Sequence, residues 1–339
     1  LKRFYDKSSF CRSQVIKVFL KLTEKNVVPK HRYAQLFDST IGRLRDSTMN
    51  VRKNALKLYQ QLIMIYAIIF GVSVAESQGF LQIEEINNDI AMVQHSCANS
   101  EMQLQHQKEV LLRMQNSISQ EHRVEDEQQL GPLLEQNPQF QAQLAECKKL
   151  GGVIEENQFV LEHRKEYGVF MLKVEGSIET LTQLLSSKTI ADTIETIKVF
   201  RTLYEYRVDK ALTGIRKMLA LIFSKEPHIQ SQIFECYSKI YFDSHKFTSH
   251  QLTKNLLSLM EDATLTDLTC IEELIKKCVQ ERVFTGEVYN SLWRYYVLPD
   301  PAWKSQTAQE AMNKLRQKAK NEQRGALQLL RMIGSSSVE

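Results

Sequence analysis

The pattern of apolar and polar positions at the start of the chain occurs twice. Six positions share this spacing: Asp6, Cys11, Arg12, Ile16, Lys17 and Val18 return forty residues later as Asp46, Val51, Arg52, Leu56, Lys57 and Leu58. A period near forty is typical of HEAT and armadillo repeats, whose paired helices bury their apolar faces on neighbouring units. The pattern predicts that Val51, Ala55, Leu56 and Leu58 face the core. It also places Asp6 and Asp46 in the turns that precede the helices.

Looser copies of the pattern follow downstream. Turns at 184–187, 222–227 and 261–264 each lead into apolar residues at helical spacing. The whole chain has only 12 Gly and 6 Pro, which is sparse for an all-β protein and favours helices. We therefore predict an all-α fold: a HEAT-repeat α-solenoid with two repeats, an interruption, and four or so further helix pairs.

The interruption spans residues 76–160, where 21 of 85 residues are Asn or Gln. Its first half carries a heptad seam, at Ile83, Ile86, Ile90, Val93, Cys97, Ser100, Leu104, Gln107, Leu111, Met114 and Ile118. This narrow seam predicts a long, coiled-coil-like helix that packs on one partner helix. Gly-Pro, Asn-Pro and Gly-Gly pairs between 121 and 152 instead favour a mobile linker.

Charge is segregated along the same divisions. Residues 1–75 carry 14 Lys and Arg against 4 Asp and Glu, residues 76–160 carry 5 against 14, and the remainder carries 25 against 22. The predicted domains are therefore basic HEAT repeats at 1–75, the acidic Gln-rich helix and linker at 76–160, and further HEAT repeats at 161–339. Because the chain opens on Leu1 with a helical pattern under way and stops abruptly after the segment that begins at Arg331, we expect the solenoid to continue beyond both ends.

The first domain has the highest density of positively charged side chains relative to acidic ones. Few acids lie near ten of its cations: Lys7, Lys17, Lys21, Lys25, Lys30, Arg32, Arg43, Arg45, Lys53 and Lys57. A polyphosphate backbone such as DNA would attract these residues, and a solvated lysine face is the alternative interpretation. Arg12 and Arg52 are interpreted differently, because such an arginine usually pairs with the turn aspartate of its own or the adjoining repeat. Asp6 with Arg12 and Asp46 with Arg52 are therefore predicted to be structural pairs.

Signals for catalysis or cofactor binding are weak. No phosphate-binding glycine loop, H-E-x-x-H or G-x-S-x-G motif occurs, and His245 and His250 are five residues apart, which does not place both on one helical face. Cys147 next to Lys148 could be a reactive thiol, although a plain surface helix thiol is the simpler interpretation. The six dispersed cysteines are interpreted as reduced, buried thiols. We predict no enzyme, no cofactor and no metal site.

The longest apolar run, Leu62 to Val72, has eleven residues, fewer than the roughly 20 that a membrane-spanning helix needs. It predicts a buried helix. Tyr66 and Phe70 could also lie at a membrane interface, which leaves a membrane helix as the alternative.

Six segments of the chain resemble the HEAT-repeat, non-SMC regulatory subunits of condensin. Segments 6–15 and 42–58 look like two successive repeats of that family. The more specific matches follow in the family's order, at 184–195, 214–226, 263–275 and 323–332. The acidic helical interruption is similar to an insertion in the same family.

This resemblance implies a non-catalytic scaffold that acts in mitotic chromosome condensation, in the nucleus and on mitotic chromosomes, with a cytoplasmic pool. Its implied partners are the kleisin subunit, the SMC ATPase subunits and double-stranded DNA, with no membrane or small-molecule substrate. Three alternatives stay open: a nuclear transport receptor, a phosphatase scaffold, and the corresponding subunit of the second condensin complex. Transport receptors generally carry acidic inner faces, unlike the basic first repeats of this chain.

Overall fold

A computed structural model describes residues 1–72, 79–122, 132, 134–243, 247–261, 263–297 and 309–336. The all-α prediction is confirmed for these residues, which contain helices and no strand. The α-helices are α1 Ser9–Glu24, α2 Tyr33–Arg43, α3 Met49–Ile69, α4 Ile83–His122, α5 Pro138–Leu185, α6 Ile190–Glu205, α7 Ala211–Leu219, α8 Pro227–Tyr237, α9 Ser249–Met260, α10 Leu265–Gln280, α11 Gly286–Val297 and α12 Gln309–Ser336. The contacts divide the chain into two units, residues 1–80 with 177–339 and residues 81–176.

Helix α3 is central to the core of the first unit. It packs against α1, α2 and α6. The predicted core positions Val51, Ala55, Leu56 and Leu58 are all fully buried, which confirms the helical register predicted from the sequence. The ring of Tyr59 stacks on that of Phe37, with centroids 5.2 Å apart. Three other helices therefore hold α3 in place.

The repeat pattern continues in space across the interruption. α3 ends at Ile69 and α6 begins only at Ile190, yet these two helices pack directly on each other. The Tyr59 hydroxyl also lies 2.7 Å from the Ser177 hydroxyl, in the last part of α5. Residues 81–176 are thus inserted between two helix pairs that are neighbours in the fold.

The three predicted downstream turns are confirmed. They separate α5 from α6, α7 from α8, and α9 from α10. At the last of these turns, Thr264 and Asp267 form a reciprocal capping box that satisfies backbone N–H groups at the start of α10. In α7, Gly214 lies so close to the Phe200 ring that a Cβ atom would overlap it. The missing side chain lets α7 approach α6.

The apolar run from Leu62 forms the last part of α3, as predicted. Leu62, Ile63 and Ala67 are fully buried, and Tyr66 packs edge-on against Phe37 with ring centroids 5.7 Å apart. Among the described helices, none has an apolar stretch long enough to span a bilayer.

The second unit contains an antiparallel helical hairpin. Asp89 of α4 lies 3.7 Å from Arg164 of α5, and Ser96 lies 3.5 Å from Asn157. Residue numbers rise along α4 as they fall along α5, so the two helices run antiparallel. The predicted heptad seam faces the partner: Ile86 is fully buried, and the other seam positions of α4 are buried or half-buried. The prediction of a long helix on one partner helix is confirmed.

The prediction of a linker is wrong for residues 138–152, which are helical and belong to α5. Gly151 and Gly152 lie inside this helix, flanked by Cys147 and Ile154, which are 9% and 8% exposed. Burial of these side chains on the hairpin seam outweighs the weak helix propensity of two glycines. Cys147 is therefore a buried seam residue, and the interpretation as a surface thiol is corrected. Residues 123–131 and 133 of the predicted linker lie outside the described residues.

Candidate nucleic-acid interface

The exposed face of α1 carries a row of lysines. Lys17 and Lys21 are one helical turn apart, and Lys25 follows at the C-terminal cap of the helix. All three are exposed, because the opposite face of α1, which includes Ile16, is buried. Residues four apart on a helix lie on one side, so the three ammonium groups share a face, together with Glu24. We name Lys17, Lys21 and Lys25 the α1 lysine row.

The other predicted cations of the first domain differ in exposure and in contacts. Lys7, Lys30 and Arg32 are exposed in the segments that flank α1 and α2, and Lys53 is half-buried on α3. Lys57 lies 3.6 Å from the carboxylate of Glu195. Each of these side chains reaches solvent and could approach a polyanion.

Arg43 and Arg45 are held by contacts within the chain. The Arg43 guanidinium donates to Asp46 Oδ2 at 3.0 Å and lies over the Tyr5 ring, 4.9 Å from its centroid. Arg45 donates from two nitrogens to the Thr180 hydroxyl, at 3.1 and 2.8 Å. These contacts tie the end of α2 to the following turn and to α5, so both arginines stabilise the fold whatever else they bind.

The predicted pairings of Arg12 with Asp6 and of Arg52 with Asp46 are wrong, because each arginine side chain reaches the aspartate of the following helix pair instead. Arg12 donates to both carboxylate oxygens of Asp46, at 2.9 and 2.8 Å. Arg52 makes the equivalent contact to Asp192 Oδ2, at 2.9 and 2.5 Å. Each arginine also donates to backbone carbonyls of its own turn, those of Asp6 and Lys7 for Arg12 and those of Asp46 and Ser47 for Arg52. The side chain of Asp6 pairs with Arg3 instead.

Sequence reasoning missed Asp192 as a member of this series. The residue two positions before the N-cap is Asp6 in α1 and Asp46 in α3, but it is Ser187 in α6. In this repeat the carboxylate is that of Asp192, in the first turn of α6, and Ser187 Oγ lies 3.1 Å from Asp192 Oδ2. Only the contact with Arg52 reveals that Asp192 takes the place of the turn aspartate.

The Asp46 carboxylate is the best-connected acid in this part of the fold. Burial by itself would raise its pKa, but hydrogen bonds from Arg12 and the Thr48 N–H, with the charges of Arg12 and Arg43, bring the pKa below its ordinary value of 3.8. The folded state therefore favours the ionised form. This stabilisation is complete above pH 3.8 and is lost as the pH falls through the lowered pKa.

We expect Asp46→Asn to destabilise the protein at neutral pH by about 3 kcal/mol, because Arg12 and Arg43 would keep their half-buried positions without a carboxylate. Denaturant unfolding at a series of pH values measures this effect. The difference in unfolding free energy between wild type and variant should become smaller below about pH 3.8, where Asp46 of the wild type also loses its charge. Glu24→Gln, at an exposed position of α1, is the control and should change stability by less than about 0.5 kcal/mol. A difference in unfolding free energy that stays constant across all pH values would contradict this role of Asp46.

Groups of histidine, cysteine and acidic residues that could hold a metal ion do not occur in the described part of the chain. His250 stacks on the Tyr295 ring, with centroids 6.1 Å apart, whereas His245 lies outside the described residues. Burial raises the pKa of the Cys236 thiol to about 12, which leaves it protonated and unreactive at neutral pH. The chemistry of this part of the protein is thus that of exposed cations on a helical framework.

Packed helices, with no strand in the described ranges, define the class of this chain: an all-α protein. No family model matches the chain. Condensin complex subunit 1 of Schizosaccharomyces pombe is 23% identical over 312 residues, which cover 87% of this chain and 26% of that protein. The Saccharomyces cerevisiae protein of the same name is 23% identical over 318 residues, with the same two coverages.

Condensin complex subunit 1 of Xenopus laevis is 25% identical over 181 residues, 52% of this chain and 13% of that protein. These similarities confirm the resemblance to condensin complex subunit 1. The chain spans about a quarter or less of the length of these relatives.

Proposed function

We propose that this chain is part of a non-catalytic regulatory subunit of condensin that acts in mitotic chromosome condensation. The main support for this proposal is the sequence similarity to condensin complex subunit 1 of two yeasts, each over 87% of the chain. The proposed architecture is a HEAT-repeat α-solenoid, since α1, α3 and α6 stack in sequence order with repeated arginine contacts. The helical hairpin of residues 81–176 interrupts this solenoid.

The proposed partners are the kleisin subunit, the SMC ATPase heads and double-stranded DNA. A stack of helix pairs suits this role because it presents a long surface on which several partners can bind at once. ATP hydrolysis belongs to the SMC subunits in this proposal. The protein would work in the nucleus and on mitotic chromosomes.

Purification of the full-length protein from dividing cells, with identification of stoichiometric partners, tests this proposal. We expect a kleisin and two SMC ATPases. Recovery of transport or phosphatase components would overturn the proposal in favour of another solenoid adaptor. Recovery of the kleisin of the second condensin complex would assign the chain to the corresponding subunit of that complex.

DNA contact is proposed for the exposed cations of the first two repeats. The supporting observation is that the α1 lysine row and Lys7, Lys30 and Arg32 all reach solvent. Lysine contacts with phosphates release condensed counterions, so the affinity for duplex DNA must fall as salt rises. An affinity that stays flat from low to physiological salt would contradict DNA contact while leaving the condensin assignment intact.

A further inference from the structure

Three stacked helices share a lysine at one position. The helices α1, α3 and α6 begin after the N-cap residues Ser8, Thr48 and Thr189. The residue nine positions after each cap is a lysine: Lys17 in α1, Lys57 in α3 and Lys198 in α6. The forty-residue spacing reveals only the first two, because the inserted hairpin separates Lys57 from Lys198. We name these three lysines the cross-helix row.

Contacts between the helices bring these positions together. Asn54 of α3 donates to the Ser13 hydroxyl of α1 at 2.8 Å. Gln60 of α3 donates to the Thr202 hydroxyl of α6, also at 2.8 Å. These contacts lie within about one turn of the lysine positions and fix the register of both helix pairs. Since packed helices lie about 8–10 Å apart, the cross-helix row extends over roughly 16–20 Å.

Glu195 links two members of the row. Its carboxylate oxygens lie 3.6 Å from Lys57 Nζ and 3.7 Å from Lys198 Nζ. The Glu195 side chain is only 8% exposed, whereas those of Lys57 and Lys198 are 41% and 36% exposed. The carboxylate therefore lies beneath the two ammonium groups, which remain accessible. It holds them side by side and cancels one of their two charges.

The row ends at the next helix. Nine positions after Glu226, the N-cap of α8, the residue is Glu235. Its carboxylate is 2.5 Å from Lys239 and 3.9 Å from Arg201, and these cations lower its pKa. An ionised glutamate at this position would repel phosphate, so the lysine surface has a boundary at α8.

We propose that the cross-helix row binds the phosphate backbone of duplex DNA, with Lys198 as its far end and Glu195 as a residue that both positions the lysines and weakens binding. The inference rests on the proposed DNA contact and extends it from the first two repeats to α6. Duplex DNA carries one negative charge per about 1.7 Å of axis, so several phosphates lie within the length of the row.

Titration of a short fluorescent DNA duplex with the full chain, over about 50–200 mM salt, tests this inference. Lys198→Gln should weaken binding and reduce the slope of log affinity against log salt by about 0.9, the value for one phosphate contact. Glu195→Gln should act in the opposite direction, with tighter binding and a steeper slope, because Lys57 and Lys198 regain a full charge. Lys198→Arg keeps the charge and should bind like wild type.

Lys217→Gln is the matched control, since Lys217 is exposed on α7 and lies outside the row. If Lys198→Gln and Glu195→Gln both behave like this control while wild type keeps its salt-dependent affinity, the inference fails and the proposed DNA contact survives. If wild type itself binds without salt dependence, both fail. Thermal unfolding of each variant separates lost contacts from lost structure, and Lys198→Gln at a half-buried surface position should melt close to wild type.

Discussion

Leu56→Asp should abolish the cooperative unfolding of the first repeats. Leu56 is fully buried on α3, which packs against α1, α2 and α6 at once. Loss of the leucine costs about 3 kcal/mol, and a buried, unpaired carboxylate adds several kcal/mol more. Because each helix pair buries its apolar face on its neighbours, damage to α3 should spread to the units on both sides. Circular dichroism during denaturant titration measures the loss of the transition.

Met64→Asp is the control for this prediction, since it places the same carboxylate on the same helix. Met64 is 41% exposed, so its variant should lose only about 1 kcal/mol. If Leu56→Asp unfolds with a midpoint close to that of Met64→Asp, then α3 does not have the central role that its burial indicates.

Local periodicity makes the core of α3 predictable from the amino-acid sequence. The apolar residues of this helix follow the helical repeat without interruption, and the four predicted positions are fully buried. The heptad seam of α4 is predictable for the same reason, because a narrow apolar stripe can be satisfied only by one partner helix. Wherever burial selects one helical face, the spacing of apolar residues reveals it.

The linker prediction failed because it relied on local propensity. Gly151 and Gly152 disfavour a helix by about 1 kcal/mol each relative to alanine. Cys147 and Ile154 lie on either side of them and are buried on the hairpin seam. Such tertiary burial cannot be inferred from Gly and Pro pairs, and it determines that α5 continues through the glycines.

The exposed lysines of the candidate site could be predicted from the sequence, but the contacts of its individual arginines could not. The exposure of the α1 lysine row follows directly from helical periodicity. The contacts of Arg43 with Asp46 and of Arg45 with Thr180 do not, since Thr180 is 135 residues away from Arg45 in sequence. Lys198 was missed because the inserted hairpin shifts the third repeat out of the forty-residue period. Contacts between residues that are distant in sequence can therefore be identified only from the structure.

Reversal of the α1 lysine row, with Lys17, Lys21 and Lys25 all changed to Glu, should weaken binding to duplex DNA more than about tenfold near 0.1 M salt. Three lost phosphate contacts should also reduce the salt slope by about 2.7. Arg43 and Arg45 are left unchanged, because their replacement would break contacts that hold the fold. Fluorescence anisotropy across a salt series gives both quantities, and circular dichroism checks that the variant stays helical.

The matched control reverses three exposed lysines of the hairpin helix α5, Lys148, Lys149 and Lys165. Both triple variants change the net charge equally, so long-range attraction between the whole chain and DNA falls by a similar amount in each. Only direct phosphate contact at α1 would make the first variant much weaker than the second. Equal losses would assign the effect to net charge, and unchanged affinity in the first variant would make the α1 lysine row a solvated surface. A difference in salt slope between the two variants is the decisive result, because the slope counts the counterions released by direct phosphate contacts.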